Sequence, residues 1–163
     1  MTKKAMREMR RKERATTKEE ALALLGDCEY AVLSMTDPDG NPHAVPVSPV
    51  LDGEAVYIHC APAGYKLDCI AHNPQVCLVC ADHITRMPER FSTAFKSTIA
   101  YGRATLLTGK DEKIHALDLI CRKYALSNME NFDAEMEKSF TRTAVIRVDI
   151  ENISGKQRKL PQK

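Results

Sequence analysis

Residues 30–36, Tyr-Ala-Val-Leu-Ser-Met-Thr, run through Asp37-Pro-Asp-Gly-Asn-Pro42 into residues 43–51, His-Ala-Val-Pro-Val-Ser-Pro-Val-Leu. The first stretch is apolar and β-branched. The second places Asp-Gly between prolines, which predicts a turn with its flanks paired as a hairpin. The third is strand-like but carries Pro46 and Pro49. Proline has no N–H for a ladder, so this strand must have an edge or a bulge with free backbone groups. A second turn at Asp52-Gly53 leads into Ala55-Val-Tyr-Ile-His-Cys60. Two successive hairpins make the early sheet antiparallel.

Upstream, Thr17-Lys18-Glu19-Glu20 is a capping box for a short apolar helix of Ala21, Leu22, Leu24 and Leu25 that stops at Gly26. Downstream, Leu67, Ile70 and Ala71 suit one helix face before Pro74, and residues 75–81 return to strand. A long strand spans 93–108, with Gly102 as a bulge or a point of close approach. A helix spans 111–127 with Ile114, Leu117, Ile120, Cys121 and Tyr124 on one stripe. A short helix over 132–140 and a last strand over 142–150 complete the chain. Six strands with helices at irregular intervals do not make a βαβ alternation. The pattern predicts a mainly β fold, a small antiparallel split barrel with peripheral helices. It forms one domain over 17–163 behind an arm of residues 1–16.

With 163 residues, 44% apolar and 28% charged, the chain has the balance of one globular domain. Its longest charge-free run, residues 69–81, falls short of the roughly 20 apolar residues a bilayer requires. No apolar h-region follows the basic start, so a cytoplasmic location without membrane association is expected. Six cysteines then read as reduced thiols. Cys77 and Cys80 are spaced like half a zinc site, but residues three apart on a strand face opposite sides. No second pair completes four ligands, and no metal is expected. Residues 1–18 carry a net charge of +6 inside a total of +2, leaving the body at −4. The body has no basic stripe or stacking motif, so the arm reads as a solvated lead-in to a partner subunit or bound phosphate rather than a nucleic-acid binder. Neither GxGxxG, a P-loop nor GxSxG is present.

The chemistry-bearing stretch is His59-Cys-Ala-Pro-Ala-Gly-Tyr-Lys66, between a strand and a helix start. Gly64 permits a tight turn, and the amides after it sit at a helix N-terminus that favours an anion. Lys66 adds a point charge there, and His59 adds a hydrogen-bond donor. A capped helix with a surface lysine would have the same sequence.

The order of several segments carries more information. Met9-Arg10-Arg11-Lys12 and the capping-box helix, Ala44-Val-Pro-Val-Ser48, Val56-Tyr-Ile-His-Cys-Ala61 with Gly64 and Lys66, Asn73-Pro-Gln-Val-Cys77, and Ser97-Thr-Ile-Ala-Tyr-Gly-Arg-Ala104 occur in sequence. Together they resemble the pyridoxamine 5'-phosphate oxidase-like FMN-binding split-barrel family, in its nitroimidazole-resistance (Nim-type) branch, from about Arg10 to Lys156. The resemblance implies a six-stranded split barrel that forms a homodimer with FMN at the subunit interface. It implies that Val45, Pro46, Val47 and Ser48 run along the flavin ring. It places His59, Cys60, Ala61, Tyr65 and Lys66 around the ribityl phosphate or active site, with Lys96 and Ser97 completing the phosphate shell. His59 is the implied catalytic group. The family commonly shows His-Ser-Ala and two consecutive basic residues after the glycine. Here Cys60 replaces the serine and Tyr65 the first base, so one hydroxyl donor and one charge are missing, and Tyr65 is left to stack on a ring or pack in the barrel mouth. His43, His72, His83 and His115 read as surface or helix-end residues.

The expected function is therefore an FMN-dependent oxidoreductase passing electrons from a reduced nicotinamide, NADH or NADPH, to a small electron-poor, nitroaromatic-type substrate. The alternative is a flavin- or haem-binding carrier or sensor without turnover.

Overall fold

A computed structural model of the chain describes residues 8–161. Its strands are β1 (Ala31–Thr36), β2 (Pro42–Val47), β3 (Val50–Asp52), β4 (Ala55–Cys60), β5 (Gln75–Met87), β6 (Ser92–Leu106) and β7 (Ala144–Arg158). All neighbours pair antiparallel, in the order β2-β1-β5-β6-β7-β4-β3. The two edges of this sheet, β2 and β3, are separated in the chain only by Ser48 and Pro49. Three Cα steps of about 3.8 Å reach at most about 11 Å, whereas seven flat strands would hold their edges roughly 29 Å apart. The sheet must therefore curl on itself, leaving a seam at Ser48-Pro49 that the ladder does not close. That is a split barrel. The strand expected over 43–51 is in fact two strands on opposite sides of the seam, so the barrel has seven strands instead of six. Proline's missing donor does not merely spoil an edge here; it marks where the chain changes edges.

Helix α1 (Lys18–Asp27) opens with the capping box in both directions: Thr17 Oγ1 accepts from the Glu20 amide at 3.1 Å and Glu20 Oε2 from the Thr17 amide at 2.9 Å. It runs one residue past Gly26. Its buried face of Ala21, Leu24 and Leu25 closes one end of the barrel, where the buried Thr98 hydroxyl donates to Ala21 O at 2.9 Å. Helices α2 (Tyr65–His72), α3 (Lys110–Tyr124) and α4 (Phe132–Ser139) lie outside the ladder. The barrel interior is filled by residues such as Leu33, Val56, Ile58, Leu78, Ile146 and Val148. A second core forms where α3 covers the outer surface of β4, with Ala116, Leu117 and Ile120 on Ala55, Tyr57 and Val145. Strand β4 is thus buried on both faces, which explains its unbroken apolar run.

Strands β5 and β7 exceed their expected lengths. Residues 82–86 of β5 are exposed, so alternation gives no sign of them; Asp82 pairs with β6 before, and Thr85 and Arg86 after, a bulge where His83 takes φ +53°. Strand β7 continues beyond Ile150 because Glu151 is accommodated as an extra residue opposite the Tyr101/Gly102 step. Gly102 serves that bulge as expected: a Cβ there would lie 2.4 Å from Asp149 O and 2.9 Å from a Val148 methyl. The arm follows the end of β7, with Ala15 bridging Lys156 and the Thr16 amide donating to Gly155 O at 3.1 Å. Residues 1–7 of the arm lie outside the described residues. No helix among the described residues is long and apolar enough to cross a membrane.

Gly102→Ala tests the bulge. The clash is with backbone that cannot rotate away, so the substitution should cost about 1–3 kcal/mol in urea unfolding. An unchanged midpoint would mean that the β6–β7 step relaxes freely.

Candidate functional site

Strand β4 delivers His59 and Cys60 to one end of the barrel, and residues 61–63 lead to Gly64 at the start of α2. Gly64 has φ +143°, which an L side chain rarely adopts, although a Cβ there would meet nothing within 4 Å. The glycine is required by the backbone, not by crowding. It makes no side-chain cap; its carbonyl accepts from the Leu67 amide at 2.8 Å and the Asp68 amide at 3.3 Å. The Tyr65 and Lys66 amides belong to the first turn, which has no intrahelical acceptor for them. Lys66 is half-buried, and its charge lies near the Cys60 thiol, which burial pushes up and Lys66 pulls partly back. Cys60 therefore sits protonated against the barrel core. Adjacent residues of a strand face opposite sides, so His59 is exposed on the α3 side of β4 while Cys60 turns inward.

Tyr65 has a specific task. Its hydroxyl donates to Asp37 Oδ2 at 2.9 Å, and its ring meets His43 edge-on with centroids 4.9 Å apart. Asp37 also accepts from the amides of Asp39 (3.0 Å) and Asn41 (2.7 Å) and from Asn41 Nδ2 (3.3 Å). These donors, the Asn41 amide foremost, hold its carboxyl below the usual carboxylate range, and the carboxylate pushes Tyr65 up to about 12. Tyr65 thereby locks the β1–β2 turn to the start of α2. The turn was legible in the sequence, but Asp37's reach to a residue 28 positions away was not.

On β2, Val45 and Val47 turn into the core and Pro46 is exposed. Ser48 is half-buried, beside the fully buried Pro49. The Pro49 carbonyl accepts from Lys123 Nζ at 2.8 Å and from the Tyr124 hydroxyl at 2.6 Å, while Lys123 also donates to Cys28 O at 2.7 Å. The end of α3 thus ties down the seam. Tyr124 was visible on the helix stripe, but nothing in the sequence marks Lys123 as a clamp.

Lys96 and Ser97 lie elsewhere. Leu106 of β6 is the residue level with Ile146 and hence with Ile58 of β4. Lys96 is ten residues further along β6, roughly 33 Å of strand. There Lys96 and Ser97 line a cavity of about 140 Å³ with Thr16, Glu20, His83 and Lys156. One protomer brings Lys66, Cys60, Tyr65 and, through His43, the start of β2 to one region, while Val47 is level with Ala31, Cys80 and Thr98, toward the end that holds Lys96 and Ser97. Of the remaining histidines, His115 bonds Asp52 at 2.9 Å on the surface, and His72 ends α2. Cys77 is half-buried outside and Cys80 buried inside, on opposite faces of β5.

Residues 17–157 match the family model described as pyridoxamine 5'-phosphate oxidase. The chain belongs to that family. Among solved structures it is similar to a candidate 5-nitroimidazole antibiotic resistance protein from Bacteroides thetaiotaomicron, 21% identical with a TM-score of 0.73 over 88% of this chain and 86% of that one. It is similar to the flavocytochrome Anf3 from Azotobacter vinelandii, 24% identical with a TM-score of 0.70 over 94% and 73%. It is also similar to an FAD and haem binding protein from Mycobacterium smegmatis, 20% identical with a TM-score of 0.75 over 93% and 77%. At these identities the likeness establishes the split-barrel fold. No curated protein sequence matches the chain.

Two substitutions test the scaffold of this region. Asp37's depressed titration contributes stability that is complete at neutral pH and lost as pH falls through its folded value. Tyr65→Phe should therefore unfold at lower urea than wild type at about pH 7, with the gap closing as pH falls below the usual carboxylate range; a gap independent of pH would dismiss the Tyr65–Asp37 bond as its source. Lys123→Met keeps the stem and removes both donated bonds, so urea unfolding should show a loss of about 2 kcal/mol. A loss below about 0.5 kcal/mol would mean that the clamp does not hold the seam.

Proposed function

We propose that this protein is a homodimeric FMN-binding oxidoreductase of the Nim type, passing electrons from a reduced nicotinamide to a small electron-poor aromatic. The observation that carries the reading is the α2 start, where open amides after Gly64 and the Lys66 ammonium offer an anion several donors at the barrel mouth. That donor set fits a flavin phosphate, with Ala61 and the loop beside it. The Val45–Ser48 segment fits the ring because it is an edge strand ending at a seam, with backbone groups outside the ladder. FMN supplies hydride and single-electron chemistry when bound. The protein's part is to hold phosphate with Lys66, present backbone along the ring and keep His59 exposed at the rim to orient a substrate or donate a proton.

With Tyr65 committed to Asp37, one protomer offers the phosphate a single cation. The homodimer would remedy this. The outer face of β1, β5 and β6 carries Val32, Val79 and Ile99 in one cross-strand row and Cys77 and Tyr101 in the next, with Val32 36% and Tyr101 43% exposed and none of the five in either core. A two-fold packing of this face, strands opposed, would carry the partner subunit's Lys96 and Ser97 toward Lys66. The Bacteroides neighbour supports the nitroaromatic substrate class, and six free thiols support a reducing, cytoplasmic compartment. A carrier without turnover is the second reading, favoured by the thinner phosphate shell and by the haem-binding neighbours.

The deciding experiment is an absorption spectrum of the untagged protein, followed by identification of the chromophore released on heating. Released FMN is expected; a colourless protein that also fails to bind added FMN would overturn the reading. Lys66→Ala should weaken FMN binding by about 30-fold, the equivalent of about 2 kcal/mol for a charged hydrogen bond. Flavin that binds but is never reoxidised by substrate in steady-state assays with NADH or NADPH would select the carrier.

A further inference from the structure

Cys28 and Cys80 meet inside the barrel. Cys28 caps the end of α1 and Cys80 points inward from β5; they are 3% and 4% exposed. Their sulfurs lie against consecutive carbonyls of the last α1 turn: Cys28 Sγ donates to Leu25 O at 3.1 Å, and Cys80 Sγ is 3.9 Å from Leu24 O. The longer contact is at the limit for sulfur, and the Cys80 thiol stands within reach of Cys28. Lys123 stands on the far side of Cys28, its ammonium 2.7 Å from the Cys28 carbonyl oxygen. The pair is therefore polarised. Cys80 donation first, and the Lys123 charge after burial, leave the Cys28 thiol below its ordinary range, while the same bond pushes Cys80 up. The thiols of Cys60, Cys69, Cys77 and Cys121 are all pushed up by burial.

We propose that Cys28 and Cys80 are an oxidation site, in which a hydroperoxide converts Cys28 to a sulfenic acid that Cys80 resolves into an internal disulfide. In the first step the Cys28 thiolate attacks one peroxide oxygen, the O–O bond breaks, and the departing oxygen leaves as water or an alcohol after taking up a proton. In the second step Cys80 sulfur attacks Cys28 sulfur, the S–O bond breaks, and a second water leaves with the Cys80 proton. The two thiols are oxidised by two electrons and the hydroperoxide is reduced by two. The bond formed ties the end of α1 to β5 across the barrel mouth that α1 closes. Oxidant enters through opening of the α1 C-terminal turn, beyond which Glu29 and Tyr30 are exposed, so the reaction is paced by that local motion. This inference does not rest on flavin binding.

The test is peroxide treatment of the folded full-length protein, followed by alkylation under denaturing conditions and cleavage after Lys, Arg and Glu. Cys28 is then alone in residues 21–29, while 67–86 holds Cys69, Cys77 and Cys80. The expected result is loss of two of the six thiols and a linked 21–29/67–86 species whose fragment ions assign the bond to Cys80. Dithiothreitol should abolish that species, as should Cys80→Ser; Cys77→Ser should retain it. The wild-type fragment assignment stands whether or not either variant folds. Six surviving thiols, a bond from Cys28 to any other cysteine, or Cys28 driven to sulfinic acid with no crosslink would overturn the proposal.

Discussion

The short covalent link between the two edge strands governs this molecule. Ser48 and Pro49 cannot span a flat seven-stranded sheet, so closure follows from chain connectivity before any side chain is considered. Closure then creates an interior that must be filled, and the Leu33, Val56, Leu78 and Ile146 set fills it. It also leaves an open end, which α1 covers. The seam needs holding because no ladder bond crosses it, and the α3 terminus does this through two donors on one proline carbonyl. A helix that packs on the outer face of β4 thereby fixes the seam between the two edge strands.

A consequence of the long β6 and β7 strands is that polar groups collect at two ends of the barrel rather than around one pocket. Lys66 and the α2 amides occupy one end; Lys96, Ser97, His83 and Lys156 line a cavity at the other. In the proposed homodimer, opposed strands would exchange ends and bring the divided groups together across the two-fold axis. The same length lets the described part of the arm follow β7, with Ala15 and Thr16 beside the Lys96 end.

Tyr65 adds no charge to this end of the barrel but anchors it. The tyrosine satisfies a buried carboxylate and rests on His43, which gives the β1–β2 turn its rigidity. The cysteines divide in a similar way. Four are held protonated by burial, whereas Cys28 and Cys80 lie together against consecutive carbonyls of α1 beside a lysine, which separates one pair chemically from residues of identical type.

Local rules in the sequence determined a good deal. The capping box, the two Asp-Gly turns, the crowded Gly102 and the apolar run of β4 follow from spacing and backbone chemistry, and their order resembles the family to which the chain belongs. What lies beyond Ala81 and Ile150 in β5 and β7 was not legible, because ladder pairing with β6 holds those polar residues in strand without burying them. The seventh strand, the Tyr65–Asp37 lock, the Lys123 clamp and the Cys28–Cys80 pair were decided only by tertiary structure. The last three join residues 28 or more positions apart, and periodicity carries information about a residue's own face but none about what closure of the barrel brings against it.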